Sequence, residues 1–231
     1  MPAQAERFSP WTLVKFVLAL PAFFALFLFL PGGTWAWPLG WLFILVFILA
    51  TLAASITLWF VNPDIYVARS RFRKDTKRWD KILLPFILSA MFAIFPIAAL
   101  DDARFHWSPL APWVVGVGYF LFMVGYALMA WAQGLNRFFE PTVRLQTDRG
   151  QYVVDRGPYA VVRHPGYAAA VLFFAGIALA LGSWWALIPA AIASALLILR
   201  TRWEDDTLQA ELPGYQDYTR RVRYRLIPGV W

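Results

Sequence analysis

The stretch Gly157 to Tyr167 reads GPYAVVRHPGY and runs straight into an apolar segment, Tyr167 to Leu199, that is interrupted at Gly182-Ser183. The interruption makes the segment a hairpin of two helices rather than one span. Each arm has about 15 to 17 residues, or roughly 22 to 25 Å at about 1.5 Å per residue, which is short against a hydrocarbon core of about 30 Å. Small residues crowd both arms: Ala168, Ala169, Ala170, Ala175, Gly176 and Ala178 on the first, and Ala190, Ala191, Ala193, Ser194 and Ala195 on the second. Small residues let membrane helices approach closely, so the arms are expected to pack tightly against each other. That packing would bring Arg163, His164 and Tyr167, at the start of the first arm, to the same surface as Arg200 and Glu204, at the end of the second. Arg200 and Glu204 are four apart and share a helix face, with Asp205 alongside and Leu208 one turn on. On spacing alone they form an ordinary ion pair at the membrane boundary, and Arg163-His164 an interfacial anchor. A polar cluster at the mouth of a membrane helix is nevertheless costly unless something uses it.

Outward from the hairpin, the chain keeps a membrane character. Of its 231 residues 60% are hydrophobic and only 15% charged, with mean hydropathy +0.55, which fits a polytopic membrane protein and not a soluble domain. There is no cysteine, so disulfides, thiolate nucleophiles and cysteine-ligated zinc are excluded, and two histidines, His106 and His164, are too few for a multi-histidine metal centre. The formal charge of +7 marks the cytoplasmic side of a bilayer rather than a nucleic-acid partner.

Four apolar runs precede the hairpin: Trp11 to Leu30, Trp37 to Val61, Ile82 to Leu100 and Trp113 to Gln133. Lys15 can snorkel from the first, and Pro21 predicts a kink in it. Pro63 to Lys81 is a basic loop carrying Arg69, Arg71, Arg73, Lys74, Lys77, Arg78 and Lys81, suited to anionic headgroups. Asp101 to Pro112 is an acidic loop apart from Arg104. With the N-terminus inside, every other cationic region faces the cytoplasm, as the positive-inside rule asks. The expected fold is therefore an all-α polytopic membrane protein, four spans plus a C-terminal helical hairpin, in one domain: spans over 1–133, then a loop, hairpin and tail over 134–231, with both termini cytoplasmic. Asn136 to Val162 lacks helical periodicity, but Phe138, Phe139, Tyr152 and Tyr159 argue against disorder. An ordered loop folded over the cytoplasmic end of the bundle is expected.

Gly157-Pro158-Tyr159, Arg163-His164-Pro165-Gly166-Tyr167, Arg200, Glu204-Asp205 and Leu208 together resemble the signature of the isoprenylcysteine carboxyl methyltransferase family and its bacterial relatives. Gly214-Tyr215, Tyr218, Val222 and Ile227-Pro228 continue the resemblance into the tail. The resemblance implies an integral membrane methyltransferase of a bacterial cytoplasmic membrane, using S-adenosylmethionine from the cytoplasm and a lipophilic substrate from the bilayer. Carried over by position, the cofactor lies against Gln151, Tyr152, Val153 and Val154, then Tyr159, then His164, Pro165, Gly166 and Tyr167, and finally Glu204. Arg200 takes the catalytic, substrate-holding position, partly neutralised by Glu204, and no metal is implied. Asp205 stands where the family often has a second glutamate, and Gln151 where eukaryotic members have a histidine.

These residue types suit the chemistry, since methyl transfer from a sulfonium is an in-line displacement that needs positioning. Glu204 can accept from ribose hydroxyls or an ammonium, Tyr159 and Tyr167 offer π-faces to adenine or a sulfonium, and Arg200 can hold a carboxylate in two-pronged geometry. Other acceptors stay open: a phospholipid amine or a small hydrophobic thiol. More distant readings are a sterol-reductase-like enzyme binding NADPH and a non-catalytic lipid-binding membrane protein.

Overall fold

The structure is a computed structural model that describes residues 19–20, 22–69 and 75–231. Among these residues it is all helical, without a strand. Helix α1, Ala22–Gly32, is a short apolar helix whose centre, Ala25–Phe29, has π geometry. Helix α2, Pro38–Val61, starts on a proline, which costs nothing at a position whose N–H has no helical partner. It ends at Asn62, whose side-chain amide donates to the Gln133 carbonyl at 2.6 Å. After the short α3, Asp64–Arg69, come α4, Arg78–Phe105, and α5, Pro112–Leu135. The hairpin is α6, Pro165–Ala180, and α7, Leu187–Glu211, followed by α8, Tyr215–Arg221. Helices α2, α4 and α5 are long and apolar enough to cross a bilayer. Large apolar side chains such as Phe60 and Trp113 stand exposed on their flanks, as helices in lipid allow. Inside, Phe24, Phe43, Phe95 and Phe122 meet edge to face at 5.5 to 6.4 Å and tie α1, α2, α4 and α5 together.

The first part of the expected first span, with Lys15 and the kink at Pro21, lies outside the described residues, as do Arg71, Arg73 and Lys74 of the basic loop. The expected third span is part of a longer helix. It begins at Arg78 and continues past Leu100 as a π-helical turn, Ala99–Phe105, so the acidic stretch begins inside α4. The helix tolerates those carboxylates because each finds donors: Asp101 accepts from the Ser108 amide at 2.8 Å and the Ser183 hydroxyl at 2.5 Å, and Asp102 from the Trp37 indole at 2.6 Å.

The break at Gly182 is present. Gly182 has φ +80°, and Ser183 pins the turn by donating to Asp101 while accepting from the Ala186 amide. The arms of the hairpin are not, however, the tightest pair. That seam lies between α5 and α6, where backbone meets backbone: a methyl group added to Gly118 would sit 2.3 Å from the Ala180 nitrogen, and one added to Gly176 would sit 2.3 Å from the Phe122 nitrogen. Gly125 approaches the Ala169 carbonyl in the same way. Ala190 and Ala193 of α7 instead join the central apolar cluster with larger residues such as Phe174 and Leu197, and α7 leans on α4 as well as on α6.

Replacing Gly118 or Gly176 by alanine overpacks this seam and is expected to cost about 1 to 3 kcal/mol. Thermal unfolding in detergent should show a lower midpoint for each, whereas Gly116→Ala, which meets nothing within 4 Å, should not. Unchanged midpoints at both seam positions would refute the close approach.

Candidate active site

Two buried guanidinium–carboxylate pairs assemble the end of the bundle that carries residues 136–162. Pro165 opens α6, and just before it Arg163 and His164 donate their amides to the carbonyls of Tyr224 and Arg225 at 2.9 Å, which lays the tail beside the start of the helix. The Arg163 side chain then closes on Asp205 of α7 with Nε and Nη2 at 2.7 and 2.8 Å, while its Nη1 donates to the carbonyls of Val222 and Arg223. Asp205, wholly buried, also accepts from Tyr215, Gln209 and Arg225 and lies 3.2 Å from His164 Nε2. Burial by itself would raise its carboxyl, but the hydrogen bonds and charges of His164 and Arg163 outweigh that and hold it well below the usual carboxylate range.

The second pair joins α4 to α7. Asp80, in the first turn of α4 and fully buried, receives Arg200 Nε at 2.7 Å and Nη2 at 3.1 Å. Arg200 Nη2 also reaches the Pro141 carbonyl, and Asp80 takes the Val143 amide, so the pair grips residues 141–143 from both sides. Further along, Arg144 is buried among Glu140, Asp148 and Asp75, and the Glu140 hydrogen bond leads the interactions that raise its pKa and keep it cationic. The connector is thus ordered by buried polar contacts, with two 3-10 turns, Thr147–Arg149 and Gly157–Ala160. Residues 151–155 have no regular secondary structure.

Two cavities result. A cleft between the connector, the start of α6 and the middle of α7 is lined by Gln151, Tyr152, Val153, Val154, Tyr159, His164, Gly166, Tyr167 and Glu204, with Glu140 and Thr142 on its other side. An apolar cavity of about 610 Å³ lies between the helices, lined by side chains of α2, α4, α5 and α6 such as Phe47, Met91, Met129 and Phe173. The cavities share Phe139, Glu140, Gly166 and Tyr167. Gly166 is needed there, because a side chain would run into the Phe139 ring at 2.6 Å. Tyr167 donates to Glu204 at 2.5 Å and carries the Arg200 guanidinium over its ring at 5.4 Å.

The structure therefore brings the predicted cofactor residues into one cleft except for Pro165, which is buried at the head of α6. Arg200 lines the apolar cavity instead. Its hydrogen-bonded partner is Asp80, while Glu204 takes the Tyr167 hydroxyl and acts on Arg200 only through its nearby charge. His164 is likewise tied by Nε2 to Asp205 rather than left unattached. Sequence reasoning missed Asp80, Glu140 and Thr142. The signal available for Asp80 was a carboxylate at the end of a basic segment, directly before an apolar run.

Comparison with known proteins bears on this same region. Residues 113–212 match the phospholipid methyltransferase family. The match runs from α5 through the connector and hairpin to the end of α7, and so contains most of both cavity walls. It points to a membrane methyltransferase, and the three long apolar helices agree with an integral membrane protein. No curated protein matches the chain.

Removing one partner of a buried ion pair typically costs about 3 to 5 kcal/mol. Asp205→Asn is expected to lose an amount of that order in detergent unfolding. Because the folded carboxyl is depressed, its contribution is complete above the unfolded value of about 4 and is lost only as pH falls through the lower folded one. The gap between wild type and variant should therefore stay constant from pH 8 to 5. A gap that closes within that window would contradict the assignment.

Proposed function

We propose that the protein transfers the methyl group of S-adenosylmethionine to a lipophilic acceptor that reaches the site from the bilayer. The observation that carries this reading is the wall shared by the two cavities: a cleft with polar groups and an apolar, lipid-sized cavity meet at Phe139, Glu140, Gly166 and Tyr167. The residues present suit such a cofactor, since the cleft combines aromatic faces, the Glu204 carboxylate and a buried Thr142 hydroxyl without a partner among the described residues. When bound, S-adenosylmethionine supplies an electrophilic methyl on a sulfonium. Glu204 provides negative charge beside a cation, and Tyr159 and Tyr167 provide ring faces. Glu204 accepts a hydrogen bond from Tyr167 and thereby fixes the ring that faces both cavities.

The acceptor is best read as a phospholipid amine. Arg200 has Nε and Nη2 committed to Asp80 and the Pro141 carbonyl. A substrate carboxylate seeking a full two-pronged bridge, as in an isoprenylcysteine-like acceptor, would have to displace Asp80. An amine, which accepts the methyl through its neutral, deprotonated form, needs no such exchange at Arg200, and the family match over residues 113–212 points the same way. Arg200 then shapes the acceptor cavity and holds Pro141, while orientation of the cofactor falls to the cleft.

The test is labelled-methyl transfer by purified protein to total membrane lipid, with the product identified by mass spectrometry. A methylated amine headgroup is expected; a methyl ester would favour the carboxylate acceptor, and no transfer together with no binding of S-adenosylhomocysteine would remove the methyltransferase reading. Arg200→Lys keeps the charge but not the two-pronged geometry. It should lower kcat about tenfold or more while changing S-adenosylhomocysteine affinity less than about threefold. Glu204→Gln should weaken S-adenosylhomocysteine binding, measured by isothermal titration.

A further inference from the structure

Thr142 carries a hydroxyl that the protein itself does not use. The residue is 7% exposed, its Oγ1 has no hydrogen-bond partner among the described residues, and it lines the cleft. Its position is not an accident of a loose loop. On one side the Pro141 carbonyl accepts Arg200 Nη2 at 2.7 Å; on the other the Val143 amide donates to Asp80 at 2.7 Å and the Val143 carbonyl accepts the Lys77 amide at 2.9 Å. Both neighbours are clamped, which fixes the backbone that carries the hydroxyl, and a β-branched side chain has restricted freedom at χ1. A buried hydroxyl that has given up water and gained nothing destabilises the fold, and native structures seldom keep one without a use.

Two other uncharged side chains of the cleft are engaged. Gln146 donates its amide to the Phe138 carbonyl, and Gln151 accepts from the Gln146 backbone. Thr142 also follows directly on Glu140 and Pro141, which line the apolar cavity, and so stands at the inner end of the cleft.

We propose that Thr142 is a ligand-binding residue: its hydroxyl hydrogen-bonds the molecule held in the cleft, at the part nearest the wall shared with the apolar cavity. This rests on the reading of that cleft as the S-adenosylmethionine site. A rigid Thr142 fixes the depth at which the ligand seats, and so its distance from an acceptor across the shared wall.

The decisive variant is Thr142→Val, which keeps the shape and removes the hydroxyl, with Thr142→Ser as the variant that restores it. Without ligand, the thermal midpoint of Thr142→Val in detergent should equal or exceed that of wild type, because a buried unsatisfied group has gone. Its affinity for S-adenosylhomocysteine by isothermal titration should fall roughly fivefold to tenfold, the loss of one hydrogen bond, and Thr142→Ser should bind within about twofold of wild type. Equal binding by wild type and Thr142→Val overturns this inference and leaves the methyltransferase reading standing. A lower midpoint for Thr142→Val without ligand also overturns it, since the hydroxyl would then have a partner within the protein. Failure of the wild type itself to bind overturns both.

Discussion

The guanidinium of Arg163 closed on the carboxylate of Asp205 is the contact on which the candidate site depends. Arg163 sits two residues before the apolar first arm of the hairpin, and Asp205 one turn beyond the apolar part of the second. Their bond fixes the width of the end of the bundle. Through its other donors and acceptors the same pair gathers Tyr215 of α8 and the backbone of residues 222–223, so the tail becomes part of the wall. Buried ion pairs add little stability over a well-packed apolar alternative. Their use here is geometric, since each admits few arrangements of the elements that meet at it.

Helix α7 divides its work by turn. Arg200 faces the apolar cavity, Glu204 faces the cleft, and Asp205 faces the tail. Residues four apart on a helix lie one above the other, and a neighbour at i+5 is rotated away, so one helix reaches two cavities and an anchor without bending. Tyr167 completes the arrangement from α6, with its ring under Arg200 and its hydroxyl on Glu204.

Much of this was legible in the sequence because it depends on local pattern. The interruption at Gly182-Ser183 announced the turn, and residues flanking two apolar arms had to return to one surface once the arms were paired. The polar connector was legible as ordered from its aromatic content. What could not be read was pairing at long range. Arg200 and Asp80 are 120 positions apart, and nothing in the spacing near Arg200 favours that partner over Glu204, which stands four residues away. The α5–α6 seam was hidden for a related reason: small residues occur on three helices, and their count does not say which two backbones meet. The π-helical end of α4 was hidden because its carboxylates look like loop residues until Ser183 and Trp37 are known to face them.

The glycine seam has a mechanical meaning. Where two helices touch through their backbones, as at Gly118, Gly125 and Gly176, no side chain can rotate to take up a shift, so sliding or tilting breaks those contacts. Helices α5 and α6 form a single stiff plate that carries the start of the cleft at one edge. The opposite wall of the apolar cavity is built differently: there α2 and α4 present long, deformable side chains such as Leu58, Leu88 and Met91, so the plate is the firm side of that cavity and the other wall the yielding one.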